Sequence, residues 1–259
     1  MGEKGHKCPC HAGLIVKVDQ YIQPHSQPIV GSKDNVTYAL EALFRLRGAD
    51  ELPPSLFKRW ERSGYVTVMD RAMVRLLADT LAGQRRQVRI AVNASARTIE
   101  TIPDEYFAEL CRLAQVVYRV IVEVTETYPV RNVDALARFV TRCRDNGMYV
   151  AFDDCRPPHD FAQAKFVQAV KPHFLKIDGP LLAECYDTAN KEPIQEVMRL
   201  ARTIGAVVIA EWIDTLDKRD FAAACGATMI QGYYISKPKT LDAWTRLTGA
   251  TRSSVPMPA

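Results

Sequence analysis

Two carboxylates stand side by side at the end of an apolar run, Val150-Ala151-Phe152-Asp153-Asp154. Adjacent acids in that position cost free energy unless positive charge meets them. The same pattern, an apolar run closed by a polar residue, recurs along the chain. It puts Glu41, Asn93, Glu123, Asp153 with Asp154, Lys176, Glu211 and Gln231 at the ends of such runs. Oxygen donors in this number suit a hard divalent cation, Mg²⁺ or Mn²⁺, rather than zinc. Two such cations can hold a phosphodiester, activate water and stabilise the leaving oxygen. A lysine among them would orient the water or neutralise developing charge. Ion pairs that merely line the mouth of a barrel are the other reading of the same residues.

Chemistry of this kind needs the run ends gathered in one place. From residue 86 onward, short apolar runs alternate with helical patterns. VRIAVN (88–93), YRVIVEVTE (118–126), MYVAFDD (148–154), FLKID (174–178), AVVIAEWID (206–214) and TMIQGYY (228–234) read as strands. Helical patterns follow them, among them PDEYFAELCRLAQ, NVDALARFVTRCRDNG, PIQEVMRLARTIG and LDAWTRLTG. Upstream, SQPIVGS and NVTYALEALFRLR supply two more strands, with helices around SLFKRWERSG and MDRAMVRLLADTLAG. Eight strands at this spacing predict a TIM-type (β/α)₈ barrel, whose chemistry sits at the strand ends.

The motifs in this order resemble the EAL domain, the cyclic-di-GMP-specific phosphodiesterase family of bacteria. Glu41-Ala42-Leu43 carries its signature. QPIV (27–30), VNASA (91–95), EVTET (123–127), DD (153–154), LKID (175–178), AEWID (210–214) and QGYYISKP (231–238) follow the family's sequence of motifs. The resemblance covers about residues 20 to 245. It implies an α/β fold, a modified TIM barrel whose first strand is antiparallel. It implies hydrolysis of cyclic-di-GMP to linear 5′-pGpG with Mg²⁺ or Mn²⁺, and inhibition by Ca²⁺. By motif, Glu41, Asn93, Glu123 and Asp153 look like ligands of one metal, and Asp153 with Asp154 like ligands of a second. Lys176 and Glu211 resemble the residues that hold and activate water. Gln27, Arg45, Gln231 and Asp214 resemble substrate contacts or their support, and Glu126 the residue that steadies the loop after the aspartate pair. The resemblance further implies pairing with a second copy through helices near that loop.

Three departures stand out. Cys155-Arg156-Pro157-Pro158-His159 replaces the family's F-G-T-G, and prolines cannot supply the backbone freedom of glycines. Trp212 replaces a glycine, and Asp214 a glutamate, in A-E-G-V-E. Leu46 stands where tryptophan is common. A degenerate member with such changes would be a cyclic-di-GMP receptor or would engage a protein partner instead.

The remainder of the chain bounds the reading. The 259 residues are 47% hydrophobic, enough for a sizeable core, and the net charge is only +4. That balance argues against a dedicated binder of polymeric nucleic acid. No apolar run approaches the length of a membrane span, and the polar N-terminus has no signal-peptide pattern. The seven cysteines, odd in number, read as reduced and mostly small core residues of a cytoplasmic protein. Cys155 reads as a plain loop cysteine, His159 and His173 as surface or capping residues. Residues 1–12, including His6, Cys8, Cys10 and His11, and residues 251–259 read as mobile tails around one barrel domain over 13–250.

Overall fold

A computed structural model describes residues 18–49, 52–82 and 86–241. The expected tails, with the His6–His11 cluster, lie outside the described residues, as does the helix expected over 241–249 beyond Leu241. The strands are β1 (His25–Gly31), β2 (Thr37–Leu43), β3 (Arg86–Ser95), β4 (Val117–Thr125), β5 (Tyr149–Cys155), β6 (Phe174–Ile177), β7 (Val207–Ala210), β8 (Met229–Ile230) and β9 (Lys239–Thr240). The helices are α1 (Pro54–Ser63), α2 (Val66–Thr80), α3 (Ala96–Thr101), α4 (Pro103–Val116), α5 (Val133–Asp145), α6 (Ala164–Val170), α7 (Gly179–Thr188), α8 (Glu192–Ile204) and α9 (Leu216–Cys225).

Strands β2 to β8 run in chain order and parallel, and β1 closes the ring between β8 and β2, antiparallel to both. The eight-stranded barrel is the one the strand spacing predicts, and its antiparallel first strand is the one the resemblance implies. Strand β9 adds a short antiparallel pairing outside β1.

Alternation decides which residues enter the barrel. On β4, Val120, Val122 and Val124 pack outward in the core shared with the helices, whereas Ile121 points into the barrel. The inner layer is built from Ile29, Ala39, Ala91, Ile121, Ala151, Phe174, Ile209 and Met229, one from each of the eight strands, together with Tyr38 and Tyr149. Small residues on β2, β3 and β5 leave room for the Phe174 ring, against which Tyr38 and Tyr149 pack edge-on.

The outer helices are amphipathic by the same logic. Helix α5 buries Leu136, Phe139, Val140 and Cys143, a single stripe at three- and four-residue spacing, and Asn132 caps it by accepting from the Ala135 amide. Two helices lie where no helical pattern was expected. Helix α3 is a short element capped by Ser95, and α7 begins with Gly179-Pro180 after the capping Asp178.

Candidate active site

Side chains two positions along a strand share a face. Two residues beyond each inner-layer residue of the parallel strands lies a polar group: Glu41 after Ala39, Asn93 after Ala91, Glu123 after Ile121, Asp153 after Ala151, Lys176 after Phe174, Glu211 after Ile209 and Gln231 after Met229. On antiparallel β1 the equivalent residue comes two positions earlier, Gln27 before Ile29, and it lies opposite Glu41 in the register. All eight therefore rise into one mouth of the barrel. Strands β7 and β8 are shorter than the sequence suggests, so Glu211 and Gln231 stand just past their last paired residues.

Asp154 breaks the alternation. Phe152 pairs with Leu175 and Cys155 with Ile177, so β5 carries one residue more than its partner. The extra residue is accommodated by a left-handed backbone at Asp154, φ 46°. A bulge re-aims the side chains around it. The carboxylates of Asp153, Asp154 and Glu211 all offer oxygens within 4.8 Å of one another.

Lys176 occupies the centre, 1% exposed. Its Nζ lies 2.7 Å from Glu123 Oε2, 2.8 Å from Glu211 Oε1, 2.9 Å from Asp153 Oδ1 and 3.6 Å from Glu41 Oε2. Glu41 receives further support, accepting from Asn93 Nδ2 at 2.9 Å and from Gln231 Nε2 at 2.6 Å. Gln231 also donates to Gln27 Oε1 at 3.3 Å, while Gln27 Nε2 donates to the Ser236 carbonyl.

One ammonium is set against five carboxylates, and the acids respond unequally. Burial would raise Glu41, but the Lys176 charge and the hydrogen bonds from Asn93 and Gln231 outweigh it and hold its pKa low. Burial and the neighbouring Glu41 push Glu123 well above the usual carboxylate range despite Lys176. Glu211 is likewise raised by burial, with Asp153 adding to it and Lys176 opposing. Asp154 is raised to about 8 by burial and by Asp153. Burial works against the charge on Lys176, but the four carboxylates around it keep the ammonium protonated. Glu123 Oε1 is buried without a hydrogen-bond partner, and Asp153 Oδ1 has only its ion pair with Lys176. Oxygen donors that are buried, unpartnered and short of positive charge fit a hard divalent cation.

A cavity of about 430 Å³ opens over this cluster. Its wall is completed by Leu43, Arg45, Trp212, Asp214, Tyr233 and Pro238. Arg45 donates to the Phe44 carbonyl through Nη1 at 2.9 Å, and its Nε has no hydrogen-bond partner. Asp214 is exposed at the rim and pairs with Lys218 at 2.8 Å. Asn93 also lines an adjoining cavity of about 190 Å³. Glu126 is exposed beyond β4. Among the described residues, no hydrogen bond or ion pair joins it to residues 155–159.

That loop is anchored by another residue. Arg156 reaches Glu184 at 2.6 Å and Asp178 at 3.7 Å, tying the loop to α7. Asp178 also caps α7 by accepting from the Leu181 amide. Cys155 is fully buried, and burial pushes its thiol well above the ordinary range. The expectation for His173 needs correction. It is buried at the entry to β6, where Nδ1 accepts from the Val150 amide at 3.0 Å. Residue 173 belongs to the barrel wall, its amide donating to the Val150 carbonyl and its carbonyl accepting from the Val207 amide.

The EAL-domain profile matches residues 18–238. The cyclic di-GMP phosphodiesterase PdeF of Escherichia coli (strain K12) is 26% identical over 226 residues, 83% of this chain but 30% of that protein. The chain thus spans about a third of that relative's length. The solved structure of the PaMucR phosphodiesterase in complex with c-di-GMP superposes with a TM-score of 0.73 at 21% identity, over 91% of this chain and 98% of that one. The Bacillus subtilis YkuI protein, solved with substrate c-di-GMP and calcium, gives a TM-score of 0.68 at 21% identity, over 87% and 57%. Candidate residues at one barrel mouth, an acidic shell short of charge and this set of likenesses agree with one another.

Proposed function

The chain belongs to the EAL-domain family, and we propose that it hydrolyses cyclic-di-GMP to linear 5′-pGpG with two divalent cations, Mg²⁺ or Mn²⁺. The observation that carries the reading is the barrel mouth itself, where one lysine faces four carboxylates and a buried Glu123 oxygen lacks a partner. Glu41, Asn93, Glu123 and Asp153 would hold one cation, and Asp153 with Asp154 the other. The closeness of Glu211 to both aspartates makes it a further candidate ligand besides its role toward water. When bound, such cations supply a nucleophile at neutral pH and charge stabilisation for the phosphoryl oxygens.

The chain's own residues supply position and proton handling. Lys176 stays protonated, so it is a donor rather than a base, suited to orienting water beside Glu211 and to offsetting charge on the phosphate. Glu211, with its pKa raised, is matched to accept a proton from that water. Gln231 and Asn93 fix the two oxygens of Glu41, which prevents that carboxylate from rotating. Gln27, Arg45 and Asp214 line the cavity and would contact the dinucleotide; a guanidinium suits a phosphate or a guanine edge. Ca²⁺, larger and less exacting in geometry than Mg²⁺, is expected to bind and inhibit.

Purified protein incubated with cyclic-di-GMP and Mg²⁺ or Mn²⁺ should yield pGpG on chromatography, and Ca²⁺ should suppress it. Binding without product would make the chain a receptor. Neither product nor binding would leave a protein partner, or a second copy of this chain, as the ligand to seek.

A further inference from the structure

Trp212 is a large aromatic at this mouth, and its setting is unusual. The backbone there is left-handed, φ 53°, a conformation that bulky residues avoid unless the surroundings impose it. Despite that cost the ring is not used for packing in the core: the residue is 64% exposed. It forms part of the wall of the 430 Å³ cavity, together with Tyr233, which is 51% exposed.

The ring is nonetheless braced. A Cβ placed on Gly179 would fall 2.1 Å from Trp212 Cγ and 2.4 Å from Cδ2. The indole therefore rests on bare backbone at the start of α7, and a glycine is needed to receive it. The segment carrying it is also clipped in place. The Ile213 amide donates to the Gln231 carbonyl at 3.0 Å, and the Ile213 carbonyl accepts from the Tyr234 amide at 2.8 Å. Gly232 makes this close approach feasible, since a Cβ there would meet Ile213 O at 2.2 Å. Trp212 and Tyr233 thus hang from two loops that cannot separate without breaking both bonds.

An aromatic ring held rigidly at the edge of a cavity, backed on one side and open on the other, is a platform for a flat π-system. Arg45 lines the same cavity, and guanidinium groups bind the O6/N7 edge of guanine. We propose that Trp212 is the stacking platform for one guanine base of the dinucleotide, a specificity-determining contact. The proposal rests on the reading of the site as a cyclic-di-GMP site.

The test is a set of binding and emission titrations with cyclic-di-GMP on the full chain, in EDTA and in Ca²⁺ so that turnover does not intervene. Trp212→Ala should weaken binding about tenfold, within the range for loss of one stacked base, and Trp212→Phe should restore most of it. Gly179→Ala, which favours the helix but displaces the ring, should weaken binding similarly while the melting temperature holds. Indole emission of the wild type should fall on saturation, and Trp212→Phe should lose that change while still binding. Unchanged or tighter binding by a folded Trp212→Ala would overturn the proposal, the latter marking the ring as an obstruction. Wild-type binding without turnover in Mg²⁺ would remove the enzymatic reading alone, leaving the platform to be judged by these affinities. Absence of wild-type binding under every condition would remove both.

Discussion

At the scale of single residues, the centre of the site is an ammonium enclosed by acids. Removing one partner of a buried ion pair leaves uncompensated charge, at about 3–5 kcal/mol. Lys176→Met should therefore lose about 3 kcal/mol in urea unfolding at pH 7, with the deficit shrinking toward pH 5 as the freed carboxylates take up protons. A deficit that stays constant with pH would show that packing, not charge, is what the lysine contributes. The acids themselves predict a second effect. Asp154, raised to about 8, holds a proton at pH 7 that a cation must displace, and burial shifts Glu123 and Glu211 in the same direction. Calorimetry of Mn²⁺ binding in buffers of different ionisation enthalpy should record net proton release near pH 7, and affinity should climb as pH rises toward 8. His173 gives a third prediction, remote from the chemistry. Burial, with the charges of Arg144 and Arg119, lowers its pKa from 6.5 to about 4. The unfolded chain then binds the extra proton first, so this contribution is intact above pH 6.5 and lost progressively between pH 6.5 and 4. Its full size is about 3 kcal/mol. His173→Asn, which keeps an acceptor for the Val150 amide, should flatten that part of the stability profile.

At the scale of elements, the strand-end residues were legible because alternation along a strand is a local property. Once Ile121 and Ala151 are inward, Glu123 and Asp153 must be too. The bulge at Asp154 was not legible, since it exists only in the register between β5 and β6. Nor was α7 visible: Gly179-Pro180 reads as a loop until Asp178 is seen capping the helix that follows. The Cys155–His159 loop was recognised as stiff, but its anchor, Arg156 on Asp178 and Glu184, joins residues more than twenty positions apart. Such exposed pairs contribute about 1 kcal/mol or less to stability, so their role is to place the loop. Gly232 supplies the prediction at this scale. With φ 157° and the Ile213 backbone 2.2–2.3 Å from any Cβ, Gly232→Ala should separate the two rim loops, costing at least about 2 kcal/mol. It should also weaken cyclic-di-GMP binding, as read by denaturant unfolding and equilibrium dialysis. Wild-type values in both would mean that the clip between Ile213 and Gln231 is dispensable.

At the scale of the molecule, the barrel follows from the spacing of eight apolar runs, and the antiparallel first strand from the resemblance rather than from any periodicity. Closure is what turns eight separate strand ends into one site, and it explains why residues as distant in sequence as Gln27 and Gln231 share a hydrogen bond. Among the described residues no helix is long and apolar enough to cross a membrane. We propose a cytoplasmic setting for the chain, as its composition suggests. If the shared carboxylates hold the cations on which hydrolysis depends, Asp153, which would serve both cations, is the residue whose loss should matter most. Wild type and Asp153→Asn should be compared for Mn²⁺ binding by calorimetry and for pGpG formation in the same preparations. The variant should fold, lose the Mn²⁺ isotherm and form pGpG at least about a thousandfold more slowly, the scale on which removing a group that stabilises the transition state acts. A variant that hydrolyses cyclic-di-GMP as fast as the wild type would contradict this role for Asp153.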